Sequence, residues 1–322
     1  MYEKIDKELE ARYKKTDFPL NVAIEITNHC NLNCIMCNND KLTRPRGYIS
    51  MSLYKKIIDE IAAESPNTRI WLDFLGEPML VGWKMYYMID YAKKKGCTNV
   101  CINSNGQLWT NELCDMMLDS GIDFISLDCD GYSAEVYESI RRGGKRDTFY
   151  NNIEYLLQEK ERRNLKTIVD IKVIEMEENK HEVDLILNHW QQRGAWTSVR
   201  RQHTWCGKFD NGNRNGQIER IACGKAVGVC AISWDGKMAE CPWDSDCEHI
   251  FGDIHEASIK ELWAKRNEAF VDLHLQHRWD ELSEACRNCT DWMLIGENRY
   301  DENGNAMIRK YDTKEKIYDS KS

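Results

Sequence analysis

Three cysteines stand close together near the start of the chain, in the run Cys30-Asn-Leu-Asn-Cys34-Ile-Met-Cys37. Three thiolates in one short loop are soft ligands suited to iron-sulfur chemistry, and a four-iron cluster held by three of them keeps one iron without a protein ligand. A structural zinc ion would need a fourth donor, for which His29 or Cys206 could be nominated, but zinc sites favour paired Cys-x2-Cys elements. A second set, Cys223, Cys241, Cys286 and Cys289, has 17, 44 and 2 residues between its members. Four thiolates fill a coordination sphere, so spacing alone leaves zinc and a fully ligated 4Fe-4S cluster equally open. Three more cysteines lie in the same half of the chain. Cys230 reads first as a buried structural thiol and, in its sharper use, as a hydrogen-atom donor; Cys206 and Cys247 have no evident partner set for a further cluster. Cys97, Cys101, Cys114 and Cys129 sit on or beside apolar elements and are expected in the core.

The elements that must position these residues follow from patterning. With 322 residues and 42% apolar content, the chain can bury a full-sized core, as one large domain followed by a small one. The formal charge of -9 disfavours a nucleic-acid substrate. The N-terminus is charged and no segment has the apolar length of a signal peptide or a membrane span, so a cytoplasmic protein without a membrane partner is expected. In that reducing compartment, fourteen cysteines point to metal ligation rather than to disulfides.

Short apolar runs alternate with amphipathic ones from Asn21 to Arg201, which predicts an α/β fold with a partial (β/α)6 barrel. Strands are expected near Val22–Thr27, Ile70–Phe74, Val100–Asn103, Phe124–Asp128, Thr167–Ile174 and Ser198–Arg201, with helices over Leu53–Ala63, Trp83–Lys95, Asn111–Ser120, Thr148–Arg163 and His181–Arg193. A polar, turn-rich bridge over Gly207–Gly216 marks the boundary to a small cysteine-rich domain. There Val227–Trp234 and Lys237–Cys241 read as a hairpin turning at Asp235-Gly236, and Ile259–Phe270 as a helix. The expected divisions are an N-terminal extension over 1–20, a core domain over 21–205, an auxiliary domain over 206–296 and a polar surface or mobile tail over 297–322.

The first cysteine loop carries the signature of the radical S-adenosylmethionine (SAM) superfamily, and the sequence resembles that family over residues 21–201, with Met36 where an aromatic residue is common. The resemblance implies that Cys30, Cys34 and Cys37 hold a 4Fe-4S cluster whose open iron binds SAM, and that electron transfer into the sulfonium yields methionine and a 5'-deoxyadenosyl radical. Leu75-Gly76-Glu77-Pro78 resembles the Gly-Gly-Glu motif that receives the SAM amino group, with Leu75 in place of the first Gly. Asn103-Ser104-Asn105-Gly106 resembles the Thr-Asn-Gly loop beside SAM, Ser126-Leu127-Asp128 the segment reaching ribose or methionine atoms, and Arg141 a partner for the SAM carboxylate. Residues 223–289 resemble the SPASM and Twitch extensions, which implies an auxiliary 4Fe-4S cluster on Cys223, Cys241, Cys286 and Cys289. The fuller Cys-x2-Cys-x5-Cys run is missing, since Asp244 stands three residues after Cys241, so the shorter, one-cluster Twitch form fits better.

A radical SAM enzyme also implies an electron donor of the flavodoxin or ferredoxin type. The expected reaction is dehydrogenation of a secondary alcohol in a small sugar, polyol or aminocyclitol, with epimerisation second and peptide modification of the thioether or formylglycine type as the alternative class. Only about twenty residues precede the first strand, which favours a small molecule over a leader-bearing peptide. Arg200, Arg201 and His203, at the end of the last strand, are candidates to face the substrate.

Overall fold

The computed structural model describes residues 14–209, 220–293, 298–300 and 306–308. Most of the N-terminal extension, part of the 207–216 bridge and most of the tail lie outside the described residues.

Six parallel strands, β1 (Asn21–Ile24), β2 (Arg69–Trp71), β3 (Val100–Ser104), β4 (Phe124–Asp128), β5 (Ile168–Glu175) and β6 (Trp196–Arg201), pair in chain order. The crossovers carry helices α1 (Met51–Glu64), α2 (Lys84–Lys94), α3 (Asn111–Asp119), α4 (Ala134–Ile140) with α5 (Arg146–Arg162), and α6 (Val183–Gln191). Ser50, Thr110 and Ser133 cap α1, α3 and α4 by accepting the N–H three residues on, which satisfies a donor the helix cannot. α1 buries Leu53, Tyr54, Ile57, Ile58 and Ile61 on one stripe against the sheet.

Along each strand the side chains alternate between the two faces. Val22, Ile24, Ile70, Leu72, Ile102, Ile125, Leu127, Val169, Ile171 and Val173 join the core beneath the helices. The positions between them carry Glu25, Asp73, Asn103, Ser126, Asp128, Asp170, Lys172, Ser198 and Arg200 toward the concave face. Parallel strands covered on both faces usually read as continuous apolar runs. A polar concave face therefore marks the side reserved for polar ligands.

The cysteine-rich segment contains a short helix α7 (Gly224–Gly228) and strands β7 (Val229–Ile232), β8 (Lys237–Ala239) and β9 (Ile250–Asp253). β7 and β8 form the expected hairpin, turning at Gly236 with φ of 90°. The hairpin does not stand apart: β7 pairs in parallel with β1, setting Cys230 opposite Val22. β1 would otherwise present an unpaired edge, and the hairpin closes it. Accordingly Ile232, Met238, Ile254, Ile259, Leu262 and Trp263 belong to the same apolar core as the barrel helices. The helix predicted over Ile259–Phe270 runs as α8 (Ile259–Arg266), opens into a π turn over Asn267–Val271 and resumes as α9 (Asp272–Leu275). At the other edge, β10 (Asn298–Tyr300) pairs antiparallel with β6, and β11 (Ala306–Ile308) with β10. The tail was expected to be a surface or mobile extension; its described residues instead complete the sheet. No helix among the described residues is long and apolar enough to cross a membrane.

Cys230 is fully buried in the core between β1 and the helices, with Glu60 of α1 and Arg266 of α8 as its nearest charges. The hydrogen-donor expectation fails on this geometry, because a side chain on the helix face of β7 points away from the concave side. Its neighbour Ala231 faces that side, packed with Ala23, Ala239, Trp71 and Phe74. Cys230→Ala is expected to lower stability by about 1 kcal/mol in urea unfolding and to leave SAM cleavage unchanged.

Candidate active site and cluster sites

Cys30, Cys34 and Cys37 follow β1 at the C-terminal end of the parallel strands, where open α/β sheets bind their ligands. The turn is closed by the Cys37 N–H donating to the Cys34 carbonyl at 3.1 Å. A two-residue strand, Asn33–Cys34, pairs with Arg141–Arg142 and brings Arg141 against the loop. Burial pushes the Cys34 thiol up to about 12 and that of Cys37 up to about 11, and the neighbouring thiols add to both shifts. Three thiols this close repel as anions, so they are suited to a multivalent cation that displaces their protons. Such a three-thiol loop fits a 4Fe-4S cluster with one open iron.

The next two strand-end loops are built onto this one. Gly76 has φ of 82°, and a Cβ there would lie 2.4 Å from the Thr27 carbonyl and 2.5 Å from that of His29, so only glycine fits against the first loop. Leu75, which stands where the family motif has its first Gly, is buried with its side chain accommodated. Glu77 ties the loops together: its N–H donates to His29 O at 2.8 Å. Its carboxylate accepts from Met79 N at 2.9 Å, Ser104 Oγ at 2.7 Å and Asn105 N at 2.8 Å. Burial raises the Glu77 pKa to about 7, against the pull of those bonds. Pro78 starts the following 3-10 turn. Asn105 donates to Asn31 Oδ1 at 2.8 Å and lies 4.0 Å from Cys30 Sγ. Glu77→Gln must face its amide NH2 toward a backbone N–H, that of Met79 or of Asn105, whichever way it turns. SAM affinity measured by equilibrium binding should fall about tenfold to a hundredfold while iron content is retained, as expected for one buried donor left unpaired.

The concave face holds a charged network. Arg141, buried, pairs with Asp130 at 2.6 Å and with Asp128 at 3.5 Å. Lys172 pairs with Asp128 at 2.7 Å and donates to Asn103 Oδ1, and Asn103 Nδ2 donates to Asp128 at 3.2 Å. Burial works against the charge on Asp128, but Lys172 and Arg141 outweigh it and hold the carboxyl below its ordinary value. Deeper in the barrel, Ser126 and Ser198 donate to Asp170 at 3.4 and 2.9 Å. Asp73 is enclosed by the barrel walls yet keeps part of its surface open to the interior. Its Oδ1 is buried and meets no hydrogen-bond donor among the described residues. Burial raises the Asp73 pKa to about 7, with Lys172 and Arg200 opposing and Asp128 adding to the rise. An ordinary aspartate titrates near 3.8. Between those values the folded chain binds more protons than the unfolded one, so stability falls as pH rises, by up to about 1.4 kcal/mol per pH unit. Glu77, also raised to about 7, adds a slope of the same sign, so urea unfolding of metal-free protein from pH 4 to 7 should show falling stability, and Asp73→Asn should lessen the slope by up to about 1.4 kcal/mol per pH unit without abolishing it.

The other thiols meet at a second place. Cys206, Cys223, Cys241, Cys286 and Cys289 line one open-mouthed cavity of about 390 Å³, solvent at its mouth included. Cys223 precedes α7, Cys241 follows β8, and Cys286 and Cys289 lie on and just after a short helix α10 (Glu284–Asn288). Backbone N–H groups point at the sulfurs, Trp243 N at Cys241 Sγ (3.5 Å) and Asp291 N at Cys289 Sγ (3.3 Å). Arg220 Nη2 lies 3.4 Å from Cys286 Sγ. The Cys223 N–H donates to His274 Nδ1 at 3.4 Å, so the imidazole hydrogen sits on Nε2 and donates to Cys286 Sγ at 3.4 Å. Burial and the Arg220 charge lower the His274 pKa to about 3, which keeps the ring neutral. Donors aimed at several sulfurs around a hollow suit thiolates that ligate an iron-sulfur cluster. The His203 ring lies tilted against that of Trp243 with centroids 4.5 Å apart, which puts it at this cavity rather than on the concave face, while Arg200 remains on that face near Asp73.

Residues 24–186 match the family model described as the Radical SAM superfamily. The chain belongs to the radical SAM superfamily. Residues 223–290 match a second family, SPASM, described as an iron-sulfur cluster-binding domain. The enzyme therefore uses SAM and a 4Fe-4S cluster and carries auxiliary iron-sulfur ligation. It is similar to an AdoMet-dependent heme synthase of Methanosarcina barkeri, 31% identical over 39% of this chain and 35% of that one. It is also similar to the mycofactocin maturase MftC of Mycobacterium tuberculosis, 28% identical over 41% of this chain and 32% of that one. The match thus spans about a third of each relative's length. Among solved structures, BtrN in complex with AdoMet and 2-DOIA superposes with a TM-score of 0.62 at 18% identity, covering 86% of this chain and 94% of that one. SuiB of Streptococcus suis bound to its precursor peptide SuiA gives 0.63 at 12% identity, covering 81% and 68%. At these identities the likeness is one of fold.

Sequence reasoning on this radical SAM enzyme did not single out Asp73 or Lys172, and it named Cys206 only as a possible further ligand without a partner set. The first two carried a signal, since each is a polar residue at an inward position of an otherwise apolar strand. Nothing in the spacing of Cys206 links it to Cys241 or Cys289.

Proposed function

We propose that the enzyme dehydrogenates a secondary alcohol of a small polar substrate, a sugar, polyol or aminocyclitol, bound on the concave face. The observation that carries this reading is Asp73, a carboxylate with an unpartnered buried oxygen and a pKa raised to about 7, set among hydrogen-bonding groups. SAM and the iron-sulfur clusters, once bound, would supply the hydrogen-atom acceptor for the carbinol carbon and the acceptor for the remaining electron. Asp73 takes the hydroxyl proton, so that loss of one hydrogen atom, one proton and one electron leaves the ketone. Lys172 and Asn103, held together on Asp128, orient the neighbouring hydroxyls. When SAM is bound, Arg141 would pair with its carboxylate, Gly76, Glu77, Pro78 and Asn105 would receive its amino group, and Ser126 and Asp128 would serve its ribose and methionine atoms. BtrN, which shares this fold, is a complex with AdoMet and 2-DOIA together, and that pairing is in keeping with a small-molecule substrate. A flavodoxin- or ferredoxin-type protein serves as the electron donor.

The test is anaerobic incubation with SAM, a reductant and a panel of polyols, hexoses and aminocyclitols. A product two mass units lighter than its substrate, with deuterium from the labelled carbinol carbon recovered in 5'-deoxyadenosine, supports the reading; turnover only with a peptide sinks it. Epimerisation is the second reading, favoured by Cys247, a partly buried thiol packed against Ala23, Ala231, Trp71 and Phe74 on the concave side. That reaction would leave the mass unchanged in light water and place one solvent deuteron on the inverted carbon in heavy water.

A further inference from the structure

We propose that Cys206 is a fifth thiol of the auxiliary site, an exchangeable ligand able to hold iron in place of Cys241 or Cys289. A four-iron cluster offers four corners to protein ligands, and the cavity offers five thiols. The Cys206 thiol lies in that cavity beside those of Cys241 and Cys289, which push its pKa up, and Asp291 accepts from the Cys206 N–H while its own N–H donates to Cys289 Sγ. Cys286 is held apart from this group by Arg220 and His274. Exchange is therefore confined to Cys206 and its two neighbours, Cys241 and Cys289.

The backbone is built to present this thiol. Trp205 and Cys206 have φ of 52° and 58°, left-handed conformations that are strained for a non-glycine residue. The strain is held by Asp291, which accepts from Thr204 N at 2.6 Å and from Cys206 N at 3.3 Å, while Gly207 N donates to Thr204 Oγ1 at 3.1 Å. The N–H of the same Asp291 donates to Cys289 Sγ, so one residue positions both thiols. A cysteine kept only for packing needs neither the strain nor sulfur neighbours. The Trp205 indole N–H donates to the Met36 carbonyl at 2.8 Å, between Cys34 and Cys37, so the strap bearing Cys206 also braces the first cluster loop. In the exchange, the Fe–S bond to Cys289 or Cys241 breaks, one to Cys206 forms, and the Cys206 proton passes to the released sulfur. No electron moves. The inference rests on the auxiliary cluster and holds whichever substrate the enzyme takes.

The experiment uses full-length protein with Cys30, Cys34 and Cys37 replaced by Ala, so that only auxiliary iron is counted after anaerobic reconstitution. Cys241→Ser and Cys289→Ser should each retain about four irons per chain, and adding Cys206→Ser to either should reduce this below about one. Cys223→Ser and Cys286→Ser, whose sulfurs Cys206 does not touch, should lose the cluster with Cys206 intact. Cys206→Ser alone should keep the iron and shift the electron paramagnetic resonance spectrum of the reduced cluster. Loss of iron in both Cys241→Ser and Cys289→Ser, or an unchanged spectrum in Cys206→Ser, would overturn the proposal. So would full iron in the double variants.

Discussion

Protein carrying Cys30→Ala, Cys34→Ala and Cys37→Ala together should keep about four of about eight irons per chain after anaerobic reconstitution, and should form no 5'-deoxyadenosine from SAM. The halving follows from the separation of the two thiol sets. The first lies in the loop after β1, and the second lines a cavity formed by α7, β8 and α10. The loss of SAM cleavage is total rather than partial because a cluster with an open iron needs the three-thiol loop, and the auxiliary cavity has a thiol for every corner. Iron and acid-labile sulfide assays, with chromatography of the nucleoside products, check both parts. Stoichiometric zinc without iron in anaerobically purified protein would sink the cluster assignment, and twelve irons per chain would replace the one-auxiliary-cluster reading with two.

Asp73→Asn should lower product formation by about a hundredfold to ten-thousandfold, the usual contribution of a positioned general base, while 5'-deoxyadenosine continues to form. Asparagine keeps the shape of the side chain and removes its capacity to take a proton, so substrate and SAM still bind and the hydrogen atom is still abstracted. The substrate radical then retains its hydroxyl proton and is slow to give up its electron. The signature is uncoupling, with 5'-deoxyadenosine exceeding ketone in the variant and matching it in the wild type. The same substitution should raise stability at neutral pH, since it removes a carboxylate whose ionisation burial disfavours. A variant more stable and less active identifies a group retained for chemistry. Unchanged turnover would remove Asp73 from the mechanism without touching the cluster assignments.

How far the site could be read in advance depended on how local its determinants are. The three-thiol loop needs only eight consecutive residues, and Cys286-Arg-Asn-Cys289 only four, so both were legible. The six parallel strands were legible for the same reason, because each declares itself by a short apolar run between turn residues. α4, seven residues over Ala134–Ile140, was passed over because so short a helix shows barely two turns of apolar repeat. The resemblance to SAM-binding loops singled out Glu77. It could not show that three donors already occupy the carboxylate and make it a tie between loops.

The sequence by itself determined the cofactor chemistry and the succession of strands and helices that builds a parallel sheet. These are properties of residue type and spacing, and they hold wherever the segments lie. Only the tertiary structure decided that the hairpin docks on β1, since an edge strand's demand for a partner is met by whichever segment reaches it. That docking turned Cys230 into the core, because a strand's register chooses the face of every residue on it, and it brought the loop bearing Cys247 against Ala23, Ala231 and Ala239. It was likewise the fold, through the strained Trp205-Cys206 strap and its anchor Asp291, that carried Cys206 to sulfurs 35 and 83 residues further along the chain.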